Sequence, residues 1–153
     1  MNIIKTDVVD AKFNPLWNDL PAAIAGLGTK PVLVVANEAA PGSAEFQQQQ
    51  KMIDACHLTD DKYNLIRLKP GELLSWSKLR DALQPKIVFL IGILPAQLGV
   101  SALFVLNNPN NFDNSIWLPT LTTGELEQHK ELKQQLWNNG MMPLLKVKTI
   151  IDF

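Results

Sequence analysis

The residue types best suited to chemistry follow one strongly apolar run in this chain. Asn37 and Glu38 come directly after the apolar residues 31–36, and Gly42 and Ser43 stand a few positions later, where a helix-forming segment begins. Ligands bind beyond the carboxyl ends of the strands in open α/β sheets, and backbone N–H groups at a helix start bind anions. The pattern predicts a ligand site here. The alternative is an ordinary strand-to-helix loop in which Ser43 caps the helix.

Gly92 and Thr120 lie at the ends of two further predicted strands and would face the same side of the molecule. Together with Glu38 and Gly42 they outline a candidate ligand pocket. A carboxylate beside a backbone anion site is suited to general acid–base catalysis. Such a pocket would make the protein a small-molecule or nucleobase enzyme that uses Glu38, and Glu38→Gln would then abolish its activity.

Sequence signatures of common nucleotide-binding and hydrolase sites are absent. The chain contains no Gly-x-x-x-x-Gly-Lys-Ser/Thr loop, no three-glycine dinucleotide fingerprint and no Gly-x-Ser-x-Gly elbow. Its histidines are poorly placed for metal binding, because His57 adjoins Cys56 at the expected end of a helix and His129 lies among charged residues. We therefore predict no metal site and no cofactor.

Large apolar residues towards the end of the sequence indicate a protein interface. Tryptophan is enriched at binding hot spots, and the chain has four of them. Trp137, Met141 and Phe153 are the interface candidates, and residues 149–153 form an apolar tail that either packs internally or docks on a partner. The alternative is that all four tryptophans belong to the core.

Composition limits the class of protein. The 153 residues suit one domain over residues 1–153, with 46% hydrophobic and 19% charged residues and a net charge of -1. A chain so close to neutrality lacks the broad basic surface of tight nucleic-acid binders, so any nucleic-acid contact is expected to be weak or indirect. The single cysteine and the lack of a signal-like start predict a cytoplasmic protein.

Apolar runs centred near residues 34, 65, 89 and 117 predict four strands separated by helical segments. The uncharged stretch 87–106 has the length of a bilayer span. Pro95 interrupts it, so we interpret it as a buried strand followed by a buried helix that begins near Ala96, and we expect no membrane contact. Strands that alternate with helices predict a three-layer α/β/α sandwich with a central four-stranded parallel sheet.

Helices are predicted on both sides of these strands. Residues 15–25 form the first, and residues 44–57 form the second, with residues 47–50 on its solvent-facing side. A last, single helix is capped by Thr122 or Thr123 and carries an apolar stripe.

Short motifs resemble those of one known family. Residues 34–42 (Val-Val-Ala-Asn-Glu-Ala-Ala-Pro-Gly) resemble the first motif of the uracil-DNA glycosylases, and residues 86–99 are similar to their third strand and following helix. Residues 118–121 and 131–137 are similar to their second motif and final helix. The resemblance covers residues 31–145 and implies a uracil-DNA glycosylase-like fold.

The same resemblance implies that the catalytic site is vestigial. In that family a polar residue of the first motif places the attacking water, and Glu38 matches this position. A histidine of the second motif stabilises the departing base, but Thr120 and its neighbours stand there instead. Loss of such an anion stabiliser costs about 10²–10³ in rate. Asn37, Glu38 and Thr120 are therefore the candidates for a vestigial site, and a divergent glycosylase that uses Glu38 is the alternative.

Among proteins of this fold, the chain most resembles the non-catalytic psi-subunit family of the bacterial DNA polymerase III clamp-loader assembly, through residues 118–121 and 132–137. That resemblance implies a protein-interaction role in DNA replication, with clamp-loader or chi-like subunits as partners. The psi subunits reach the clamp loader through an extended N-terminal arm. Here only about a dozen residues precede the first predicted helix, which is a departure from that family.

Overall fold

The computed structural model describes residues 20–56 and 58–143, and its centre is one five-stranded sheet. The strands are β1 (Val32–Asn37), β2 (Tyr63–Leu68), β3 (Ile87–Ile91), β4 (Asn110–Phe112) and β5 (Ser115–Thr120). Their order is β2-β1-β3-β5-β4, and every neighbouring pair is parallel except β4 with β5. Four strands therefore end at one side of the sheet, which we call the carboxyl edge.

Helical segments cover both faces of this sheet. The α-helices are α1 (Ala22–Ala25), α2 (Ala44–Ala55), α3 (Trp76–Leu83), α4 (Thr123–Gln128) and α5 (Lys130–Gln135). A 3-10 turn (Pro95–Leu98) follows β3, and a π-helical turn (Leu136–Met141) directly continues α5.

Alternate residues of β1 point into two separate apolar cores. Val34 packs in a cluster with Ile53 of α2 and Leu126 of α4, whereas Leu33 belongs to a cluster with Leu79 of α3. Strands that are buried on both faces have continuous apolar sequences. The apolar runs therefore predict β1 and β3 correctly, and the α/β class is confirmed.

The prediction of a purely parallel sheet of four strands is wrong because β4 adds a fifth, antiparallel strand at the edge. Asp113 and Asn114 join β4 to β5 with φ values of 52° and 63°. Two adjacent residues with positive φ make the tight turn that fits the twist of a hairpin. The residues of β4, Asn110–Phe112, have the composition of a loop, so only the hairpin partner reveals them as a strand.

The predicted helix after Pro95 is also wrong. It is limited to the 3-10 turn, because Gly99 adopts a left-handed φ of 72° and ends it. Residues 100–105 have no regular secondary structure. Within the described ranges, no helix has the length and apolar character needed to cross a membrane.

The predicted last helix is divided. His129 has φ −130° and ψ 82°, which are not helical, and it separates α4 from α5. Thr122, one of the two predicted caps, accepts the backbone N–H of Glu125. The first predicted helix is described only from residue 20 onwards, where α1 covers Ala22–Ala25.

Candidate functional site

A continuous chain of side-chain hydrogen bonds crosses the carboxyl edge, and we call it the edge network. Its centre is Gln49 of α2, which is fully buried. The Gln49 Nε2 donates to the backbone oxygen and to the Oδ1 of Asn37, both at 3.0 Å. The Gln49 Oε1 accepts the Nε–H of Arg67 at 3.0 Å. Asn37 is thus held at the end of β1 by a helix on one face of the sheet.

Glu45 forms the other end of the edge network. Its Oε2 accepts the Asn37 Nδ2–H at 3.3 Å and the backbone N–H of Thr123 at 3.2 Å. Its Oε1 accepts the backbone N–H of Gly124 at 3.2 Å. The first N–H groups of a helix have no partner within the helix and favour negative charge. A carboxylate of the chain itself therefore occupies the anion position at the start of α4.

Arg67 supplies the positive end of the same network. Its guanidinium carbon lies 4.3 Å from the centroid of the Phe46 ring, a cation–π arrangement. Its Nη2 is buried without a hydrogen-bond partner. Burial lowers the pKa of Arg67, although a guanidinium stays charged across the physiological range.

Gly92 closes the gap between β1, β3 and α4. It has a φ of 70°, and a Cβ at this position would stand 2.6 Å from Thr122 Cγ2 and 2.9 Å from Asn37 Oδ1. Its backbone N–H donates to the carbonyl of Thr120 at 3.0 Å. Only glycine fits here, because the approach of these neighbours leaves no volume for a side chain.

Thr120 is used in the interior of the protein. Its side chain is buried, and its hydroxyl donates to Asn107 Oδ1 at 2.6 Å. The Asn107 Nδ2 in turn donates to the Leu132 carbonyl and to Gln135 Oε1, both at 3.3 Å. The pair therefore ties the end of β5 to α5, and the Thr120 hydroxyl is engaged in this contact.

The remaining predicted site residues lie at the surface. Ser43 caps α2, since its hydroxyl accepts the N–H of Phe46 at 3.1 Å. Gly42 has a φ of 84° and faces open space. Glu38 is exposed, and its backbone N–H donates to the Leu68 carbonyl at 2.8 Å.

A cavity of about 440 Å³ lies beyond the ends of β3 and β5. Gly92 and Thr120 contribute to its wall together with Phe104 and Leu121, whereas Glu38 and Gly42 do not. The pocket predicted from the four strand-end residues is thus split between this cavity and the exposed loop after β1. Leu94 and Leu103, which also line this cavity, are 68% and 99% exposed, and Val105 is 61% exposed. We call these exposed apolar residues the 94–106 surface.

A second recess of about 290 Å³ lies between α2, α4 and the α5 segment, and we call it the α2–α5 groove. Trp137 and Met141, two of the predicted interface residues, both line it. Trp137 is 37% exposed and Met141 is buried. Phe153, the third candidate, and the tail 149–153 lie outside the described residues, as does His57.

Sequence reasoning missed Glu45, Gln49 and Asn107. The prediction that residues 47–50 face solvent is wrong for Gln49, which is fully buried. The spacing already contains the signal, because Gln49 lies three residues after Phe46 and four before Ile53, on the same helical stripe. No such periodic signal marks Glu45, whose partners on α4 are 78 and 79 residues away.

The comparisons with known proteins do not assign this chain to a family. In the described part of the chain, no three His, Cys, Asp or Glu side chains come together as a metal-binding group. No family model matches the sequence, and no curated protein matches it.

Proposed function

We propose that this chain is a non-catalytic protein-interaction subunit with a uracil-DNA glycosylase-like fold, similar to the psi subunit of bacterial DNA polymerase III, that bridges clamp-loader and chi-like proteins. The observation that carries the proposal is the position of Glu45. Its carboxylate accepts the Thr123 and Gly124 N–H groups at 3.2 Å each, so the chain fills its own anion position. An anion that bound to these two N–H groups would have to displace Glu45.

The other polar groups of the carboxyl edge support the same conclusion. Asn37 is bonded to Gln49 and Glu45, and Thr120 is bonded to Asn107. A base edge would have to compete with these hydrogen bonds, and breaking them would cost free energy.

Two separate apolar surfaces favour a bridging role. The 94–106 surface and the α2–α5 groove lie on different sides of α4, because Glu125 lines the first cavity and Leu126 the second. Apolar side chains that are exposed close together on a protein surface favour an interaction site. A bridging subunit needs two such surfaces.

A tagged capture from native lysate, followed by mass spectrometry, tests the proposal. We expect the wild type to recover clamp-loader or chi-like proteins. The double variant Leu103→Ser/Val105→Ser and the variant Trp137→Ala should each lose one class of partner. Leu27→Ser is the matched control, because Leu27 is partly exposed outside both surfaces.

The alternative function is that of a divergent glycosylase or other nucleobase enzyme. The cavity of about 440 Å³ at the carboxyl edge favours it, since this is where α/β proteins hold ligands. Release of uracil from single-stranded DNA by the purified protein, lost in Glu38→Gln, would establish the alternative. Release that is unchanged in Glu38→Gln would exclude Glu38 as the acting residue.

A further inference from the structure

The α2–α5 groove has an apolar interior that is suited to a large side chain. Met52 and Ala55 of α2 face Leu126 of α4, and Leu136 and Trp137 close the other side. Almost all of this wall is apolar carbon or sulfur. Methionine and tryptophan walls accept varied apolar groups, because the thioether is flexible and the indole offers a wide face.

The rim of the groove is positively charged. Lys51 and Lys133 line the groove, and Lys130 lines a recess of about 360 Å³ that shares Glu127 and Trp137 with it. Glu127 is the acidic residue among these lining residues, and it forms an ion pair with Lys133. Three ammonium groups thus face one carboxylate.

Lys51 and Lys130 are the two lysines of this rim that lie outside the Glu127–Lys133 ion pair. No salt bridge joins either one to a carboxylate among residues 20–56 and 58–143. The field they create is felt at Glu127, whose pKa is lowered first by the hydrogen bond from Lys133 and then by nearby lysines that include Lys51 and Lys130. Glu131, which is also on α5, lies 3.8 Å from His129 and does not line the groove.

We propose that the α2–α5 groove binds a short acidic segment of a partner protein, with a large apolar side chain in the cleft and carboxylates on Lys51 and Lys130. The inference rests on the proposed interaction function and names the chemistry of one partner. Charge complementarity selects an acidic segment over a basic one. The apolar interior suits a side-chain anchor, whereas single-stranded nucleic acid stacks successive bases on several aromatic faces along a basic groove. Trp137 is the one aromatic residue among the described residues that line this groove.

Selection from a library of short random peptides on the purified, folded protein tests this inference. We expect the recovered peptides to place Asp or Glu beside Phe, Leu, Ile or Trp. A fluorescently labelled peptide from the selection should bind Lys51→Glu/Lys130→Glu about tenfold more weakly than the wild type, and Trp137→Ala at least as weakly. The affinity of Lys51→Gln/Lys130→Gln for the peptide should lie between that of the wild type and that of Lys51→Glu/Lys130→Glu.

Lys86→Glu is the control, since Lys86 is an exposed lysine that directly precedes β3 and does not line the groove. It should bind the labelled peptide as the wild type does. Thermal melts of each variant separate loss of binding from loss of folding. The inference is overturned if the selected peptides are basic or uncharged, if Lys51→Glu/Lys130→Glu binds them as well as the wild type, or if oligothymidylate competes more strongly than the acidic peptide.

The outcomes also separate this inference from the proposed function. Capture of replication proteins without selection of acidic peptides would sink the groove inference and leave the bridging function. Selection of acidic peptides without capture of any replication protein would contradict the bridging function and leave the groove inference standing.

Discussion

Two carboxylates near the start of α2, Glu38 and Glu45, have different roles that the same substitution in each can separate. Glu38→Gln should change the free energy of unfolding by less than about 0.5 kcal/mol, because the side chain is exposed. Glu45→Gln should cost about 1–2 kcal/mol, because it removes the charge that accepts the N–H groups of Thr123 and Gly124. Urea denaturation of the two variants measures the difference. Equal costs would contradict the structural role of Glu45.

Substitutions at Thr122 and Thr123 should change the free energy of unfolding in opposite directions. Thr122 accepts the N–H of Glu125 as a helix cap, so Thr122→Ala should destabilise the protein by about 1 kcal/mol. The Thr123 hydroxyl is buried without a hydrogen-bond partner. Thr123→Val should therefore stabilise the protein by up to about 1 kcal/mol. Chemical denaturation curves decide the point, and destabilisation by both substitutions would show that the Thr123 hydroxyl has a partner.

Gly92 should tolerate substitution much less well than Gly42. A methyl group there would collide with Thr122 and Asn37, and alanine would have to adopt the positive φ of this position. Gly92→Ala should therefore lower the free energy of unfolding by more than about 2 kcal/mol. Gly42→Ala, which has the same sign of φ in open space, should cost about 1 kcal/mol. A comparison of their thermal midpoints tests the close approach. If the two variants melt together, the packing at Gly92 is looser than described.

At the level of elements, Asp113 joins the β4–β5 hairpin to α3. Its Oδ2 accepts the Arg80 Nη1–H at 2.8 Å and the Trp76 Nε1–H at 2.7 Å. The hydrogen bond from Arg80, followed by that from Trp76, lowers the pKa of Asp113 below its ordinary value. The stabilisation is thus complete above the unfolded-state pKa and is lost as pH falls through the lower folded-state value.

Asp113→Asn should therefore lower the free energy of unfolding at neutral pH. It should also reduce the loss of stability between neutral and acidic pH. Urea midpoints at pH 7 and at about pH 3, the region where aspartates titrate, provide the measurement, with Asp81→Asn as a more exposed control that also contacts Arg80. An unchanged difference between the two pH values in Asp113→Asn would contradict this role.

The elements that follow from local patterns were predictable, and those that need a distant partner were not. Continuous apolar runs predict β1 and β3, and the alternating run Tyr63–Leu68 predicts β2 with its observed bounds. β4 is made of loop-forming residues and exists because it pairs with β5. The break at His129 likewise has no helix-breaking residue to announce it.

The candidate site divides in the same way. The order of predicted strands correctly indicates that Asn37, Gly92 and Thr120 lie at the carboxyl edge. It does not predict that Glu45 reaches α4, because that contact joins residues 78 positions apart. The difference between an empty ligand site and a filled one therefore depends on tertiary structure.

At the scale of the whole molecule, the proposal of protein partners rests on charge and on exposed apolar side chains. The net charge is -1, and apolar side chains are exposed on the 94–106 surface and at the α2–α5 groove. The positive rim of the groove is local, and Lys51 and Lys130 form no ion pair there among the described residues. A small local group of lysines differs from the broad basic surface that attracts phosphates in general, and the proposed acidic segment is chosen on that ground.

The most direct test of the bridging proposal is native mass spectrometry of the complexes that the tagged, intact protein captures from lysate, with a uracil-release assay on the same preparation. We expect a complex that contains this chain with a clamp-loader protein and a chi-like protein together, and no uracil release. Release of uracil without any replication protein in the captured complexes would contradict it.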